Sequence, residues 1–394
     1  MEESNDMLRV KMLEIRNCED KWGYFPTIFC PSFGTIIISG QTGEDQIPPE
    51  IAHEKKYSEK ENQVVRCEDF LSRQDYPYGE SWMIISRDSG ANWTNYGMPP
   101  IYAKTVLKDK TWLGFEFNTY RKVNKNDMSS AETVIARAWT SCDNGEIWRG
   151  PLYIPFFSPK LDGSSSNHSI ALHRSIIECP DSSLLVTAYG KLKNDKKYRT
   201  MVYRSIDRGK SFTYYATVGL DQNETSPEGF DEPVISILPN GDLICIMRTG
   251  GYSPLFKSYS SDYGATWSKP EYIGQSGVSP DLKVLSNGIL ACSFGRPDVS
   301  VMFTSDGNGS YWPEKSLVWR NANKKEGLVI GNDYWSYDVI GTCGYTGLAE
   351  IAAGKVMLVF SAPKDPSDQS IDNPWELEKR KKMTIWMITY EVKI

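Results

Sequence analysis

The sequence predicts an all-β protein, a six-bladed β-propeller with four antiparallel strands per blade. Two interleaved repeats and the composition support this prediction. The 394 residues include 12 Trp, 22 Tyr, 31 Gly and 22 Pro, which is typical of short strands joined by tight turns. A chain of this length can hold two or three domains. Because the repeats run through most of it, we expect one propeller domain over residues 1–394.

The first repeat is an octapeptide of the form S-x-D-x-G-x-x-W/F. It begins at Ser86, Ser141, Ser205 and Ser260, and a copy with one inserted residue begins at Thr304. Its Asp can cap backbone N–H groups of a turn, its Gly can adopt a positive φ, and its aromatic side chain can pack beneath the hairpin. We interpret the octapeptide as a structural turn on the periphery of a blade.

The second repeat is a turn followed by a short apolar strand. Its copies begin at Pro31, Lys108, Pro180, Pro239, Leu285 and Ala352. Alternation of the two repeats predicts six units of four short strands each. The sixth unit lacks the octapeptide, as expected of a blade that is completed by the N- or C-terminal strand.

The first unit is longer than the others. The distance from Gly34 to Asp88 is more than twice the distance from Gly241 to Asp262 in the fourth unit. The extra residues form a charged, proline-containing insertion at about 44–78. We expect this insertion to form a loop or a lid.

Charge and composition exclude several classes of partner and cofactor. A net charge of −6 argues against nucleic acid binding, and no apolar stretch is long enough for a membrane span. The eight Cys include no C-x-x-C pair, so we expect no zinc site, no disulfide framework and no cofactor. The acidic N-terminus is unlike a signal peptide. Secretion or a periplasmic location after removal of a signal is favoured over the cytoplasm, and the oligomeric state is left open.

Polar residues occur where inner strands begin and where the second strands end. In a propeller these positions meet near the axis on one face, where convergent polar groups predict a site. The strand beginnings include His173, Arg174, Asp231, Glu232, Asp281 and Tyr345, and the strand ends include Tyr189, Lys191, Arg248 and Arg296.

The octapeptides resemble the Asp-boxes, or BNR repeats, of the sialidase (neuraminidase) superfamily, and the resemblance spans essentially the whole chain. The segment from Glu232 to Arg248 resembles the sialidase segment that carries the glutamate assisting the nucleophile and one arginine of the carboxylate-binding triad. The segment around Arg296 resembles the one with another triad arginine. Gly344-Tyr345 resembles the start of the nucleophilic tyrosine segment.

This resemblance implies a retaining exo-glycoside hydrolase that removes a terminal acidic sugar, sialic acid or a similar one, from a glycan. Tyr345 would be the nucleophile and Glu232 its base, because a neutral phenol is not repelled by the sugar carboxylate and a phenol with a pKa near 10 needs a base. Arg248 and Arg296 would hold that carboxylate by charge-assisted hydrogen bonds.

Two positions depart from the family pattern. Tyr24 stands where sialidases have the first triad arginine, and Arg174 is our candidate for a replacement cation. The family's catalytic acid should follow the first turn and strand, where Asp45 is our candidate and Glu44 the substitute. Asp69 and Asp75 in the insertion stay open as alternatives. His173, Tyr189, Lys191 and Asp281 complete the predicted substrate-binding residues.

Two other functions remain open on the same scaffold. One is a polysaccharide lyase or a glycosidase for uronate-linked sugars, for which His173, Tyr189, Tyr345, Arg174 and Lys191 could supply a base and a cation. The other is a carbohydrate-binding propeller without catalysis. The loss of arginine at position 24 favours these alternatives, and the pairing of Glu232 with Tyr345 favours the sialidase-like hydrolase.

Overall fold

The computed structural model describes residues 8–18, 21–41, 63–66, 81–99, 101–121, 131–162, 170–221, 225–250, 253–296, 298–313, 315–319, 344–365, 368 and 377–394. Strands make up nearly all of the regular structure in these ranges, so the prediction of an all-β protein is confirmed. The helix α1 (Leu377–Arg380) has four residues. Within the described ranges, no helix is long and apolar enough to cross a membrane.

Four of the sheets have four antiparallel strands each. The first consists of β2 (Tyr24–Ser32), β3 (Thr35–Gln41), β5 (Ser81–Ser86) and β6 (Thr94–Asn95). The second consists of β15 (Asp231–Ile237), β16 (Leu243–Arg248), β17 (Pro254–Ser260) and β18 (Glu271–Ser276). The third consists of β19 (Val278–Val284), β20 (Leu290–Gly295), β21 (Val299–Thr304) and β22 (Ser316–Trp319). The fourth joins the two ends of the chain, in the order β1 (Arg9–Asn17), β25 (Met383–Lys393), β24 (Lys355–Pro363) and β23 (Thr346–Ala352).

The remaining nine strands form one sheet. Their order is β14 (Phe212–Leu220), β13 (Arg199–Ser205), β12 (Leu184–Gly190), β11 (Ile170–Glu178), β7 (Ala103–Val106), β8 (Trp112–Arg121), β9 (Ala131–Ser141), β10 (Ile147–Pro159) and β4 (Gln63–Arg66). A parallel pairing of β10 with β14 closes eight of these strands into a mixed barrel. The prediction of six separate four-stranded blades is therefore wrong.

Contacts between neighbouring units explain this difference. The start of β11 pairs with β8 at Ala171↔Asn118, and the 13-residue strand β10 is long enough to reach β14 at Phe156↔Phe212. The rings of Phe156 and Phe212 stack there with centroids 4.7 Å apart, and both side chains are fully buried. The sequence repeats specify hairpins within a unit, but pairing between units depends on strand length and on which side chains of different units pack together. The single domain over 1–394 and the insertion at about 44–78 stay predictions, and most of the insertion lies outside the described residues.

The octapeptides form compact turns after the third strand of a unit. In the fourth copy, Ser260 Oγ donates to Asp262 Oδ1 at 2.8 Å and accepts from the Gly264 N–H at 2.8 Å. Gly264 has a φ of 86°, and the Trp267 indole N–H donates to the Gly264 carbonyl at 3.0 Å. Ser86, Ser141 and Ser205 make the corresponding hydroxyl contacts in their copies. These contacts explain why the pattern keeps Ser, Asp, Gly and an aromatic residue.

We expect Ser260→Ala to lower the free energy of unfolding by about 1–3 kcal/mol, because the buried Gly264 N–H loses its acceptor. Urea unfolding followed by tryptophan fluorescence measures this change. Ser261→Ala is the matched control, since Ser261 is an exposed neighbour in the same turn, and it should change stability by less than about 0.5 kcal/mol. Equal losses in both variants would contradict the role assigned to the Ser260 hydroxyl.

A bulge near the start of four inner strands aims side chains toward one another. Register shifts interrupt β2, β11, β15 and β19 close to their first residues. Within these shifts lie Phe25, Arg174, Glu232 and Ser279, with φ values of 52°, 51°, 41° and 49°. A non-glycine residue in the left-handed region is uncommon and strained, and a bulge re-aims a side chain. All four residues contact the site described next.

Candidate active site

A hydrogen bond between Tyr345 and Glu232 is the centre of the site. Tyr345 Oη donates to Glu232 Oε1 at 2.6 Å. The other carboxylate oxygen of Glu232 accepts from the backbone N–H of Ser279 at 2.8 Å. Because Glu232 is only 3% exposed, its carboxylate is held on both oxygens in a nearly water-free setting. The structure thus brings together the two residues that were predicted as nucleophile and base.

Arg248, the last residue of β16, contacts the same carboxylate from another side. Its Nη1 lies 2.7 Å from Glu232 Oε1, its Nη2 lies 3.3 Å from Glu228 Oε2, and its Nε lies 3.9 Å from Asp231 Oδ1. One guanidinium group therefore faces three carboxyl groups. Like charges at such short range cannot all remain ionised in a buried site.

The pKa values agree with this charge balance. Burial by itself would raise the pKa of Glu232, but Arg248 and the hydrogen bond from Tyr345 lower it to about 2. Burial, and next the negative charge of Glu232, raise the pKa of Tyr345 well above its ordinary value. Burial also raises the pKa of Asp231, more than Arg248 lowers it, and a hydrogen bond with Glu228 raises it further. At neutral pH the site therefore holds an ionised Glu232 and a neutral phenol, and the pKa of Asp231 lies well above its ordinary value.

Arg174 and Asp281 form a second buried pair beside the first. Arg174 Nη1 lies 3.2 Å from Asp281 Oδ2, and Arg174 Nη2 donates at 2.6 Å to the carbonyl of Thr346, the residue after Tyr345. Asp281 is 4% exposed and accepts a hydrogen bond from the backbone N–H of Leu348 at 2.7 Å. These contacts hold the start of β23 in place, and the substrate-binding role predicted for both residues stays a prediction.

His173 is 1% exposed. Burial, and next the positive charge of Arg174, lower its pKa to about 4, so the ring is neutral at pH 7. Its Nδ1 lies 2.9 Å from the carbonyl oxygen of Pro233, and its Nε2 lies 3.2 Å from Tyr102 Oη. A carbonyl can only accept, so Nδ1 carries the hydrogen and Nε2 accepts from the Tyr102 hydroxyl. His173 therefore orients Tyr102.

Arg296 and two aromatic residues surround Tyr345. The guanidinium carbon of Arg296 lies 6.0 Å from the centroid of the Tyr345 ring. Phe25 meets that ring edge-on, with centroids 4.6 Å apart, and Tyr24 packs against Phe25 at 4.4 Å. Aromatic rings therefore stand where the sialidase resemblance expects the first arginine.

Tyr189 and Lys191 contact a wall of aromatic rings. The Tyr189 ring contacts Tyr198 and Phe117, with centroids 5.4 Å and 6.3 Å apart, and Lys191 Nζ lies 5.5 Å from the Tyr198 ring centroid. Burial, and next the charge of Glu232, raise the pKa of Tyr189 well above its ordinary value. Such a wall of rings can pack on the apolar face of a sugar.

The predicted acid Asp45 lies outside the described residues, as do its alternatives Glu44, Asp69 and Asp75. No distance from them to Tyr345 follows from the structure.

The sequence interpretation missed Ser279 and Glu228 as contacts of the site. A repeated dipeptide could have indicated Ser279, because proline follows the bulged residue in Phe25-Pro26, Glu232-Pro233 and Ser279-Pro280. Proline cannot donate a ladder hydrogen bond and is typical of bulges. No local pattern indicates Glu228, which reaches Arg248 from the loop before β15.

Comparison with solved structures finds the same fold over nearly the whole chain. A protein of unknown function from Dyadobacter fermentans is 17% identical, with a TM-score of 0.64 and 98% of this chain and 99% of that chain covered. The NanB sialidase from Streptococcus pneumoniae is 12% identical, with a TM-score of 0.55 and coverage of 99% and 71%. The α-L-arabinanase from Penicillium chrysogenum, complexed with arabinobiose, is 12% identical, with a TM-score of 0.56 and coverage of 96% and 98%. These identities show similarity of fold alone.

A sequence comparison with curated proteins finds no match. The family model of the BNR repeat-like domain, in contrast, matches residues 97–337, which is more than half of the chain. The chain therefore belongs to the family of the BNR repeat-like domain.

Proposed function

We propose that the protein is a glycoside hydrolase that retains the configuration of the anomeric carbon and uses Tyr345 as its nucleophile. The hydrogen bond of 2.6 Å from Tyr345 Oη to Glu232 Oε1 is the observation that carries this proposal. The fold similarity to a sialidase and to an arabinanase supports a glycoside hydrolase on this scaffold.

The reaction has two steps. In the first, Tyr345 Oη forms a bond to the anomeric carbon while the bond from that carbon to the leaving oxygen breaks. The phenol proton passes to Glu232, and the leaving oxygen takes a proton from the acid, which we assign to Asp45. In the second step water replaces Tyr345 at the anomeric carbon and gives a proton to Asp45, while the phenol regains its proton from Glu232.

The charges of the site suit this two-step reaction. The high pKa of Tyr345 keeps the resting phenol protonated, and the low pKa of Glu232 keeps its carboxylate ready to accept. Proton transfer becomes favourable only as the phenol oxygen bonds to the electron-poor anomeric carbon. Arg248 and Arg296 both lower the pKa of Tyr345 against these larger effects, so they would stabilise negative charge developing on its oxygen.

A terminal acidic sugar is the substrate class that we favour. A neutral phenol does not repel a carboxylate next to the anomeric carbon, and Arg296 lies beside the Tyr345 ring to receive it. We expect Arg296→Met to raise KM for an acidic glycoside by about 10- to 100-fold, because a charge-assisted hydrogen bond is lost. Arg87→Met is the control, since Arg87 is exposed and pairs with Glu146 at the surface. An unchanged KM in Arg296→Met would contradict this role.

A neutral sugar is the second candidate. Arg248 is already paired with Glu232 and Glu228, and Tyr24 and Phe25 replace the cation that an acidic sugar would use. These contacts favour a substrate that offers hydroxyl groups and an apolar ring face.

A substrate panel separates these candidates from a lyase and from a binding protein. Purified protein is incubated with a fluorogenic sialoside, a glucuronide and an α-L-arabinofuranoside, and absorbance of unsaturated products is followed on uronate polysaccharides. Proton NMR measures the anomeric configuration of the sugar as it is first released. Release of any of the three sugars with the configuration of its substrate supports the proposal. An unsaturated product, inverted configuration, or binding without release of sugar would overturn it.

A further inference from the structure

A cavity of about 410 Å³ lies among the inner strands. Each of β2, β7, β11, β15, β19 and β23 contributes to its wall. Arg174 and Asp281 belong both to this wall and to the network beside Tyr345, whereas Tyr345 and Glu232 do not line the cavity. Phe33, which is exposed, lines the cavity from the hairpin between β2 and β3. The cavity is therefore a space of its own, separated from the candidate active site by the Arg174–Asp281 pair.

Positive charge exceeds negative charge at the inner end of the cavity. Lys104 Nζ donates to Thr27 Oγ1 at 3.0 Å, and no carboxylate of the described residues lies within ion-pair distance of it. Lys283 Nζ lies 3.6 Å from Asp281 Oδ1, and Arg174 occupies the other oxygen of the same carboxylate. The wall thus holds three cations, Lys104, Lys283 and Arg174, and two carboxylates, Asp281 and Glu350, of which Asp281 contacts two of the cations.

The other acidic residue of the wall, Glu350, is committed elsewhere. Its Oε1 accepts from Ser286 Oγ at 2.6 Å and from the Gly354 N–H at 2.9 Å, and its Oε2 accepts from the Ser286 N–H at 2.8 Å. A carboxylate with these three donors gains little by turning toward Lys104. The described side chains of the wall therefore carry one more positive than negative charge, and Glu350 is held by neutral donors rather than by one of the cations.

Lys104 responds to this excess. Burial, and next the positive charges of Arg174 and Lys283, lower its pKa to about 7. Lys104 is half-buried and faces the cavity, and the side chain of its neighbour Lys283 is 41% exposed. An anion in this space would offset the repulsion between Lys104 and its cationic neighbours. It would also accept hydrogen bonds from the ammonium groups.

We propose that this cavity is a binding site for a small oxyanion with a carboxylate, phosphate or sulfate group, held by Lys104, Lys283 and Arg174. The three cationic groups come from three different strands, β7, β19 and β11, so they approach a central ligand from different directions. A volume of about 410 Å³ admits such an anion together with water. The inference does not depend on the proposed hydrolase activity.

Sulfate is the first probe, because its charge is constant around neutral pH. Isothermal titration calorimetry and thermal unfolding are carried out on the full chain at pH 6.5, with ionic strength held constant by sodium chloride. We expect saturable binding at about one site per chain and a rise in Tm of about 3–5 °C at saturation. Succinate and acetate are titrated in a parallel series. Saturable binding of sulfate indicates a ligand of the sulfate and phosphate type, and saturable binding in the parallel series indicates a carboxylate.

Lys104→Met is the decisive variant. It should lose the saturable binding and the rise in Tm, and it should have a higher Tm than the wild type in anion-free buffer, because an uncompensated cation is removed. Lys355→Met, on the exposed end of β24, is the matched control and should behave like the wild type. If Lys104→Met does not fold, Lys283→Met replaces it, with the same expected loss of binding. Absence of saturable binding in the wild type, or equal binding in Lys104→Met, would overturn the proposal.

Discussion

Replacing Tyr345 with phenylalanine is expected to lower kcat for a cleaved glycoside by about 10³-fold or more, with little change in fold. The substitution removes the oxygen that would bond to the anomeric carbon and leaves the ring, which Phe25 contacts edge-on. Glu232 keeps its contacts with Arg248 and Ser279. Loss of the hydrogen bond should therefore cost only about 1–2 kcal/mol of stability. Initial rates and urea unfolding of the same preparations measure both effects.

Tyr203→Phe is the matched control for this experiment. The Tyr203 hydroxyl is buried and lies 2.8 Å from Ser158 Oγ, within the nine-stranded sheet. Its removal should cost a similar amount of stability and leave kcat unchanged. If Tyr345→Phe keeps a rate within about tenfold of the wild type, Tyr345 is not the nucleophile, whatever the substrate proves to be.

Arg248→Met is expected to cause the largest loss of stability, about 3–5 kcal/mol at pH 7. Arg248 is buried among Glu228, Asp231 and Glu232, and its replacement removes the cation that contacts all three carboxyl groups. Arg204→Met is the control, because Arg204 pairs with Asp181 at the surface, and that exchange should cost less than about 1 kcal/mol. Equal losses in the two variants would contradict the charge balance described for the site.

The loss in Arg248→Met should also depend on pH. In the wild type the pKa of Glu232 is lowered to about 2, below its value in the unfolded chain. This carboxylate therefore contributes stability that is fully present above about pH 5 and is lost as the pH falls toward 2. Without Arg248 burial raises that pKa, and the sign of the contribution reverses. The difference in unfolding free energy between wild type and variant should shrink from pH 7 to pH 4, and a constant difference would contradict this explanation.

The repeated octapeptide was interpreted successfully because its physical cause is local. Ser260, Asp262 and Gly264 close one turn through contacts between neighbouring residues, so eight residues contain all the information. The grouping of Glu232, Arg248 and Tyr345 needed one more assumption, that equivalent positions of repeated units meet on one face. Because all three stand at strand ends, that assumption was enough to bring them together.

The joining of neighbouring units into one sheet and the side-chain contacts of the site could not be predicted in this way, because they depend on residues far apart in the chain. Whether β10 reaches β14 depends on the stacking of Phe156 and Phe212, which belong to different units. Phe212 is the aromatic residue of the third octapeptide, but the repeat does not specify which residue of another unit it contacts. Substrate binding by Arg174 stays a prediction, and the sequence did not indicate that its guanidinium contacts Asp281 and the carbonyl of Thr346. A side chain's partner depends on the bulge that aims it, and the φ of 51° at Arg174 is imposed by neighbouring strands.

The sequence by itself determined the all-β class, the turns, the family and the grouping of Glu232, Arg248 and Tyr345, since each depends on a local pattern or on a repeat. The tertiary structure decided which strands join into the nine-stranded barrel sheet and which carboxyl groups surround Arg248. It also brought Lys104 to the same cavity as Arg174 and Lys283. These outcomes depend on distances between residues far apart in the chain, where burial and charge balance, rather than local propensity, select the arrangement.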